Sequence, residues 1–385
     1  MKESAKNWEW KKLGEIATFI NGRAFKPSEW RTSGYPIIRI QNLTSEDSKF
    51  NHYNSELEEK YFVIDGDLLV SWSATLGVFI WDGEKAVLNQ HIFKAVVNHK
   101  IIDKMYLFYV IQTKIAEMKL RVHGSTMTHI TKKDFGRIEI PVPPLPIQRK
   151  IVSILERAEK LKTLRREANE ETNTIIQALF YEMFGDPVRN ERKYPIKKLG
   201  DLCKIQSGGT PSRKIKEYWE NGNIPWVGST VCKDGYVGSA EEYITEEGLR
   251  NSATRWFEAN TVLIALVGAT IGKTGLLTFR ATTNQNIAGI YPINLGELNS
   301  RYLFYATQQL YPQFMALSND SFKMANLSFI KTLEILIPPI PLQNQFASLV
   351  EKIESIKEHQ TQSTEEINTL FDALMQKAFN GLLVR

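Results

Sequence analysis

Apolar positions along the chain follow two different periods. The first is short and strand-like. The runs Tyr35-Pro36-Ile37-Ile38-Arg39-Ile40, Asp67-Leu68-Leu69-Val70-Ser71-Trp72, Ile224-Pro225-Trp226-Val227 and Thr261-Val262-Leu263-Ile264-Ala265 stand between Gly, Asn and Ser turns and predict strands. Met105 to Val110 and Tyr302 to Tyr305 predict helices among them. This mixture implies α+β domains of antiparallel or mixed sheet with helices to one side. The second period is a heptad. Ile147, Ile151, Ile154, Ala158 and Leu161 are spaced 4-3-4-3, and Leu342, Phe346, Leu349, Ile353 and Ile356 keep the same register. Such a seam lets one helix pack lengthwise on another. A proline-rich stretch precedes each seam and suits a helix start. Polar residues interrupt the seams from Arg165 to Thr174 and from His359 to Glu366; they resume at Ile175, Leu179 and Phe180, and at Ile367, Leu370 and Leu374. Gly185-Asp186-Pro187 and Asn380-Gly381 mark the ends. Each predicted helix is roughly 40 residues, so about 60 Å long at the α-helical rise.

The two periods occur in the same order twice. Pro143-Pro144-Leu145-Pro146-Ile147-Gln148 returns as Pro338-Pro339-Ile340-Pro341-Leu342-Gln343, Asn89-Gln90-His91 as Asn284-Gln285-Asn286, and Ala74-Thr75-Leu76-Gly77 as Ala269-Thr270-Ile271-Gly272. Solenoid repeats have units of about 20–50 residues, so what repeats here is a whole domain with its connector. The predicted organisation is a globular domain over residues 1–143, a long helix over 144–186, a second domain over 187–338 and a second long helix over 339–385. Each helix could pack on its own domain. A helix longer than a domain diameter favours packing on the other helix, antiparallel, with the two domains held apart.

Composition narrows the function classes. Apolar content of 43% supports buried cores and argues against a disordered chain. No stretch approaches the roughly 18 apolar residues of a membrane span, and the start lacks an apolar signal core, so a cytoplasmic protein is expected. Cys203 and Cys232 have no counterparts in the first copy, so neither a disulfide framework nor a structural zinc site is implied. A net charge of +5 permits an anionic partner without requiring one.

Catalytic motifs are scarce. Gly268-Ala269-Thr270-Ile271-Gly272-Lys273-Thr274 resembles a P-loop but is one residue short, and the first copy lacks its lysine. A turn between two strands is the better account. In Asn89-Gln90-His91 the histidine becomes Asn286 in the second copy, so no general base is kept. The amides are kept; they could read base edges or cap backbone groups in a turn. No nuclease carboxylate pair, methyltransferase signature, nucleophile elbow or metal-binding helix stands out. A binding module is expected, with no catalytic residue and no metal.

Loops dense in Arg, Lys, Trp, Asn and Gln are the candidates to meet a polyanion. In the first copy they carry Gly22, Arg23, Arg39, Gln41, Asn42, Trp72, Asn89, Gln90, His91, Ser125 and Thr126. In the second they carry Gly208, Thr210, Arg213, Ser229, Thr230, Asn284, Gln285, Asn286 and Lys323. Corresponding loops differ while their frames persist, a pattern that two readers tuned to two targets and simple drift of unimportant loops would both give.

Taken together, the chain resembles the specificity subunit of type I restriction–modification systems. The resemblance covers the whole chain. It rests on Trp10-Lys11-Lys12-Leu13-Gly14-Glu15-Ile16 and its echo Ile196 to Leu202, Asn89-Gln90-His91-Ile92, the proline-rich segment leading each long helix, and the tails Gln177 to Phe180 and Ala373 to Phe379. The family usually has Glu before the glutamine of the proline segment; Ile147 and Leu342 stand there here. The resemblance implies two target-recognition domains separated by an antiparallel coiled-coil pair, each domain reading one half of a bipartite, asymmetric duplex DNA target. It also implies two docked modification subunits, with restriction subunits joined through the complex. Those partners would bind S-adenosylmethionine and ATP, and this chain would bind no cofactor. The competing reading is a coiled-coil scaffold that joins protein partners without reading DNA sequence.

Overall fold

The computed structural model describes residues 8–384 apart from 46, 74, 122–129 and 318–323. The chain divides into two compact units, one formed by Met1–Glu167 with Thr361–Arg385 and the other by Ala168–Gln360. We call them unit 1 and unit 2. The fold is α+β in both.

Unit 1 contains two four-stranded sheets. One has the order Ala17–Asn21, Ile92–Val97, Leu68–Ser71, Gly77–Ile80, all antiparallel; the other has the order Asn51–Tyr53, Tyr35–Ile38, Ala86–Leu88, Phe62–Val63, with Tyr35–Ile38 parallel to Ala86–Leu88. The run Leu68-Leu69-Val70 shows why the layers stack. Successive strand residues face opposite ways. Leu68 and Val70 join the core against the helix Lys104–Arg121 and the long helix, while Leu69 joins Ile38, Leu88 and Trp81 between the sheets. A strand covered on both faces needs an unbroken apolar run. Sequence periodicity anticipated antiparallel or mixed sheet with helices to one side and did not resolve the number of sheets; the unalternating runs are the trace of the second one.

Unit 2 repeats this plan. Its sheets have the orders Cys203–Ser207, Ile287–Pro292, Val262–Ala265, Thr274–Leu277, Gly235–Val237 and Glu242–Ile244, Ile224–Val227, Ala281–Thr283, Trp256–Phe257. Val262 and Ile264 face the helical side; Leu263 and Ala265 face the other sheet.

The long helices are Leu145–Phe184 and Ile340–Phe379. Each is followed by a glycine in the left-handed region, Gly185 at φ +78° and Gly381 at φ +71°, where glycine carries no Cβ penalty. Within unit 1, Ile151, Val152, Leu155 and Ala158 share one core with Phe371, Met375, Ala378 and Phe379. Within unit 2, Ile176, Phe180 and Phe184 pack with Phe346 and Val350, and Gln360 Nε2 donates to Thr172 Oγ1 at 2.9 Å. In each unit the helices therefore run antiparallel, and both also cover their unit's own core.

The predicted seam lies slightly off the buried line. Ile151 and Phe346 are fully buried, Ile147, Ile154, Leu342, Leu349 and Ile353 are half-buried, and Leu161 and Ile356 are 50% and 52% exposed. The buried stripe instead runs through Gln148, Ile151, Val152, Leu155 and Ala158, and through Gln343, Phe346, Ala347 and Val350. The reason lies in the two glutamines. Gln148 Oε1 accepts from the Asp103 N–H at 2.7 Å, and its Nε2 donates to the carbonyls of Ile101 (3.0 Å) and Pro143 (2.7 Å). Gln343 does the same with the Asn299 N–H (2.9 Å), the Glu297 carbonyl (3.0 Å) and the Pro338 carbonyl (2.7 Å). A polar residue excluded from any hydrophobic count thus occupies the inward position and pins the helix start to the domain. Tyr106 and Tyr302 repeat the device, donating their hydroxyls to Pro141 and Leu336 carbonyls at 2.9 Å each.

Candidate nucleic-acid interface

The repeated Asn-Gln turn lies where the two sheets of a unit meet. In unit 1 the Asn89 N–H donates to the Ile38 carbonyl at 3.1 Å, the Trp72 N–H donates to the His91 carbonyl at 3.2 Å, and the Arg23 N–H donates to the Leu88 carbonyl at 2.8 Å. Three chain segments converge there. In unit 2 the Asn284 N–H donates to the Val227 carbonyl at 3.2 Å, the Leu266 N–H to the Asn286 carbonyl at 2.8 Å and the Gly209 N–H to the Thr283 carbonyl at 2.9 Å. The asparagine closes the turn on itself: Asn89 Oδ1 accepts from the His91 N–H at 3.4 Å and Asn284 Oδ1 from the Asn286 N–H at 3.0 Å. Of the two readings open for these amides, the turn-capping one describes the asparagines.

Glycine is required beside this turn. A Cβ on Gly22 would lie 2.2 Å from the Asn89 carbonyl oxygen, and one on Gly208 would lie 2.0 Å from the Thr283 carbonyl oxygen. Backbone cannot yield as a flexible side chain does, so Gly208→Ala should force the turn of unit 2 open. We expect that variant to weaken ligand binding by unit 2 at least tenfold while unit 1 retains its own, as read by titration of the assembled protein. Unchanged binding by unit 2 would contradict this account of the turn.

Around the turn the sequence candidates separate into groups. Gly22, Arg23, Trp72, Asn89, Gln90 and His91 come together in unit 1; Trp72 Nε1 donates to the Gln90 carbonyl at 3.2 Å, and its ring stacks on Phe93 with centroids 5.7 Å apart. Gly208, Thr210, Asn284, Gln285 and Asn286 come together in unit 2, where Thr210 Oγ1 donates to Gln285 Oε1 at 2.6 Å. Ser229 and Thr230 stand near them, since a Cβ on the preceding Gly228 would reach both Thr230 Oγ1 and Asn284 Nδ2 at 3.8 Å.

Several polar candidates are already engaged. Arg23 pairs with Glu29 at 2.5 Å, with its guanidinium 4.9 Å from the Phe25 ring centroid. Its hydrogen bond to Glu29 raises the pKa of Arg23; the Lys26 backbone N–H, then Arg23, lower that of Glu29. Arg213 forms a two-pronged pair with Glu242 and lies 3.6 Å from the Trp219 centroid. Both arginines are thus internally neutralised, a partnership their sequence neighbours do not signal. Asn42 accepts from the Arg39 N–H and donates to Ser48, holding its own loop. Arg39 stacks over Trp30 at 5.3 Å, while Gln41 beside it is exposed. Trp30 and Trp219 escaped the sequence reading, although aromatics in loops with arginine are the signal for such stacks. Ser125, Thr126 and Lys323 lie outside the described residues.

The P-loop-like stretch turns between the antiparallel strands Val262–Ala265 and Thr274–Leu277, with Gly268 and Gly272 both at φ +76°. Lys273 Nζ is 2.6 Å from Asp234 Oδ2, a hydrogen bond that raises the lysine's pKa. No helix follows to cradle a phosphate. The thiols of Cys203 and Cys232 are pushed up to about 12 by burial, which leaves them inert. Among the described residues no cluster of His, Cys, Asp and Glu could hold a metal ion, and no helix is long and apolar enough to cross a membrane.

Comparison with known proteins places this geometry. A family model described as the type I restriction modification DNA specificity domain matches residues 5–174 and 191–369. The MjaIX specificity subunit of a type I restriction enzyme from Methanocaldococcus jannaschii is 24% identical, over 98% of this chain and 94% of that protein. The EcoR124I/EcoR124II specificity subunit from Escherichia coli is 31% identical over 49% of this chain and 47% of its own length. Among solved structures, a chain from work on complex assembly and conformational transition of a type I R-M system aligns with TM-score 0.65 at 19% identity, covering 98% of both chains. The type I S subunit from M. genitalium aligns with TM-score 0.59 at 15% identity, covering 97% of this chain and 96% of that one. At such identities the likeness is one of fold.

Proposed function

The chain belongs to the family of type I restriction–modification DNA specificity subunits, and from that premise we propose that it reads a bipartite, asymmetric duplex target, one half-site per unit, and docks the methyltransferase subunits. The carrying observation is a frame repeated residue for residue around rims that differ. Gln148 and Gln343, Tyr106 and Tyr302, and Asn89 and Asn284 make the same hydrogen bonds in their two units. Beside those fixed points stand Trp72 and His91 in one unit, Thr210 and Asn286 in the other. A framework held constant with unlike polar rims suits two readers of unlike sequences. The long helices, which each contribute to both units, suit a fixed gap between half-sites. On this reading S-adenosylmethionine and ATP belong to the modification and restriction subunits, and this chain contributes no catalytic group.

Exchanging residues 187–338 for the corresponding domain of a relative should change one half of the recognised sequence and leave the other half and the gap intact. Change in both halves would refute independent readout. Affinity of the assembled complex for duplex DNA should fall linearly in log–log plots against salt, as phosphate contacts require. A flat salt response would favour the scaffold reading.

A further inference from the structure

Within the repeated turn the two amides have different work. The asparagine is consumed by the turn: its side chain accepts the i+2 N–H in both units, and its backbone N–H is tied to a strand of the second sheet. The glutamine that follows has no such duty. Gln285 is exposed, and its side chain meets the Thr210 hydroxyl rather than any backbone group. Gln90 differs: its Nε2 lies 3.2 Å from His91 Nε2 and its Oε1 is buried, so that amide is turned in. Gln285 is therefore held out on a turn fastened at several backbone points, with the oxygen of its amide engaged by Thr210.

We infer that Gln285 is a base-reading residue for the half-site of unit 2, and that its neighbour Thr210 sets which half of the amide meets the base. The inference rests on the reading of function above. An amide nitrogen can only donate and an amide oxygen can only accept. Gln285 receives the Thr210 hydroxyl at Oε1 and presents Nε2 with both hydrogens. That group matches guanine O6 or N7, or thymine O4.

The test is selection from a pool of random duplexes by the complete complex with its modification subunits, using wild type and the variants Gln285→Ala, Gln285→Glu and Thr210→Val. Gln285→Ala should relax preference at a single base pair of one half-site by about 5- to 150-fold, the range for a good side-chain–base pair. Gln285→Glu, which can only accept, should move the preference at that position toward cytosine. Thr210→Val, which frees the amide to turn, should broaden it. Melting temperatures of Gln285→Ala and wild type should coincide, since the side chain is exposed. If wild type selects two half-sites and Gln285→Ala selects the same bases at every position, the inference falls while the function stands. If wild type itself selects no sequence, the proposed function falls and takes the inference with it.

Discussion

Replacing Gln343 by leucine is expected to destabilise unit 2 by about 3 kcal/mol or more, and Gln148→Leu to do the same to unit 1. Each glutamine is 0% exposed and makes three hydrogen bonds to backbone groups of the loop before a helix and of the proline segment. Leucine fills a similar volume but satisfies none of them. One N–H and two carbonyls then lose their partners, at about 1–3 kcal/mol for each that stays shut off from water. For a unit of this size each kcal/mol lowers the melting temperature by roughly 2–4 °C, so a fall of about 6–12 °C should appear by calorimetry. Gln345→Leu, two positions on and exposed, should stay within about 0.5 kcal/mol of wild type. If Gln343→Leu and Gln345→Leu melt together, the glutamine pin is not what holds the helix start.

Phe346→Ala should cost about 3–5 kcal/mol, the usual range for emptying a buried aromatic site. Phe346 is fully buried, with ring centroids 5.7 Å from Phe180, 5.2 Å from Phe184 and 5.5 Å from Tyr305. Phe180 and Phe184 belong to the first long helix, Phe346 to the second, and Tyr305 to the helix Ser300–Gln308. The cavity would lie at the junction of all three. Leu349→Ala, at a half-buried position, should cost markedly less. Denaturant unfolding of the two variants separates these expectations; equal losses would mean that the heptad seam, rather than the buried stripe, carries the pairing. A double-mutant cycle with Phe180→Ala should return a coupling of about 0.5–1.5 kcal/mol, the excess expected for an aromatic pair.

These two residues show how far the sequence could be read. The repeat announced two equivalent units, because whole motifs return in order. The long helices were legible because heptad spacing survives in apolar residues alone. The inward line was misplaced by a position because Gln148 and Gln343 are polar, and a pattern of hydrophobicity cannot see a glutamine buried for its three hydrogen bonds. Leu161 and Ile356 continue the seam on paper yet stand half in solvent. The second sheet was hidden for the opposite reason: Leu68-Leu69-Val70 gives no alternation, since both of its faces are covered. In the candidate interface the Asn-Gln turn was visible as a repeat, but the division of labour between its amides was not. That division depends on which backbone groups approach, and those come from segments far away in the chain. Arg23 and Arg213 read as free cations in sequence; Glu242, distant from Arg213 by 29 residues, could be found only through the fold.

The central claim is that two units of one fold read two halves of one DNA target at a fixed gap. It is tested most directly by co-expressing the chain with its modification subunit and mapping methylated adenines across genomic DNA. The account predicts one asymmetric motif of two different half-sites separated by a constant number of unspecified bases. A single contiguous motif, a variable gap, or a stable complex that methylates without sequence preference would contradict it.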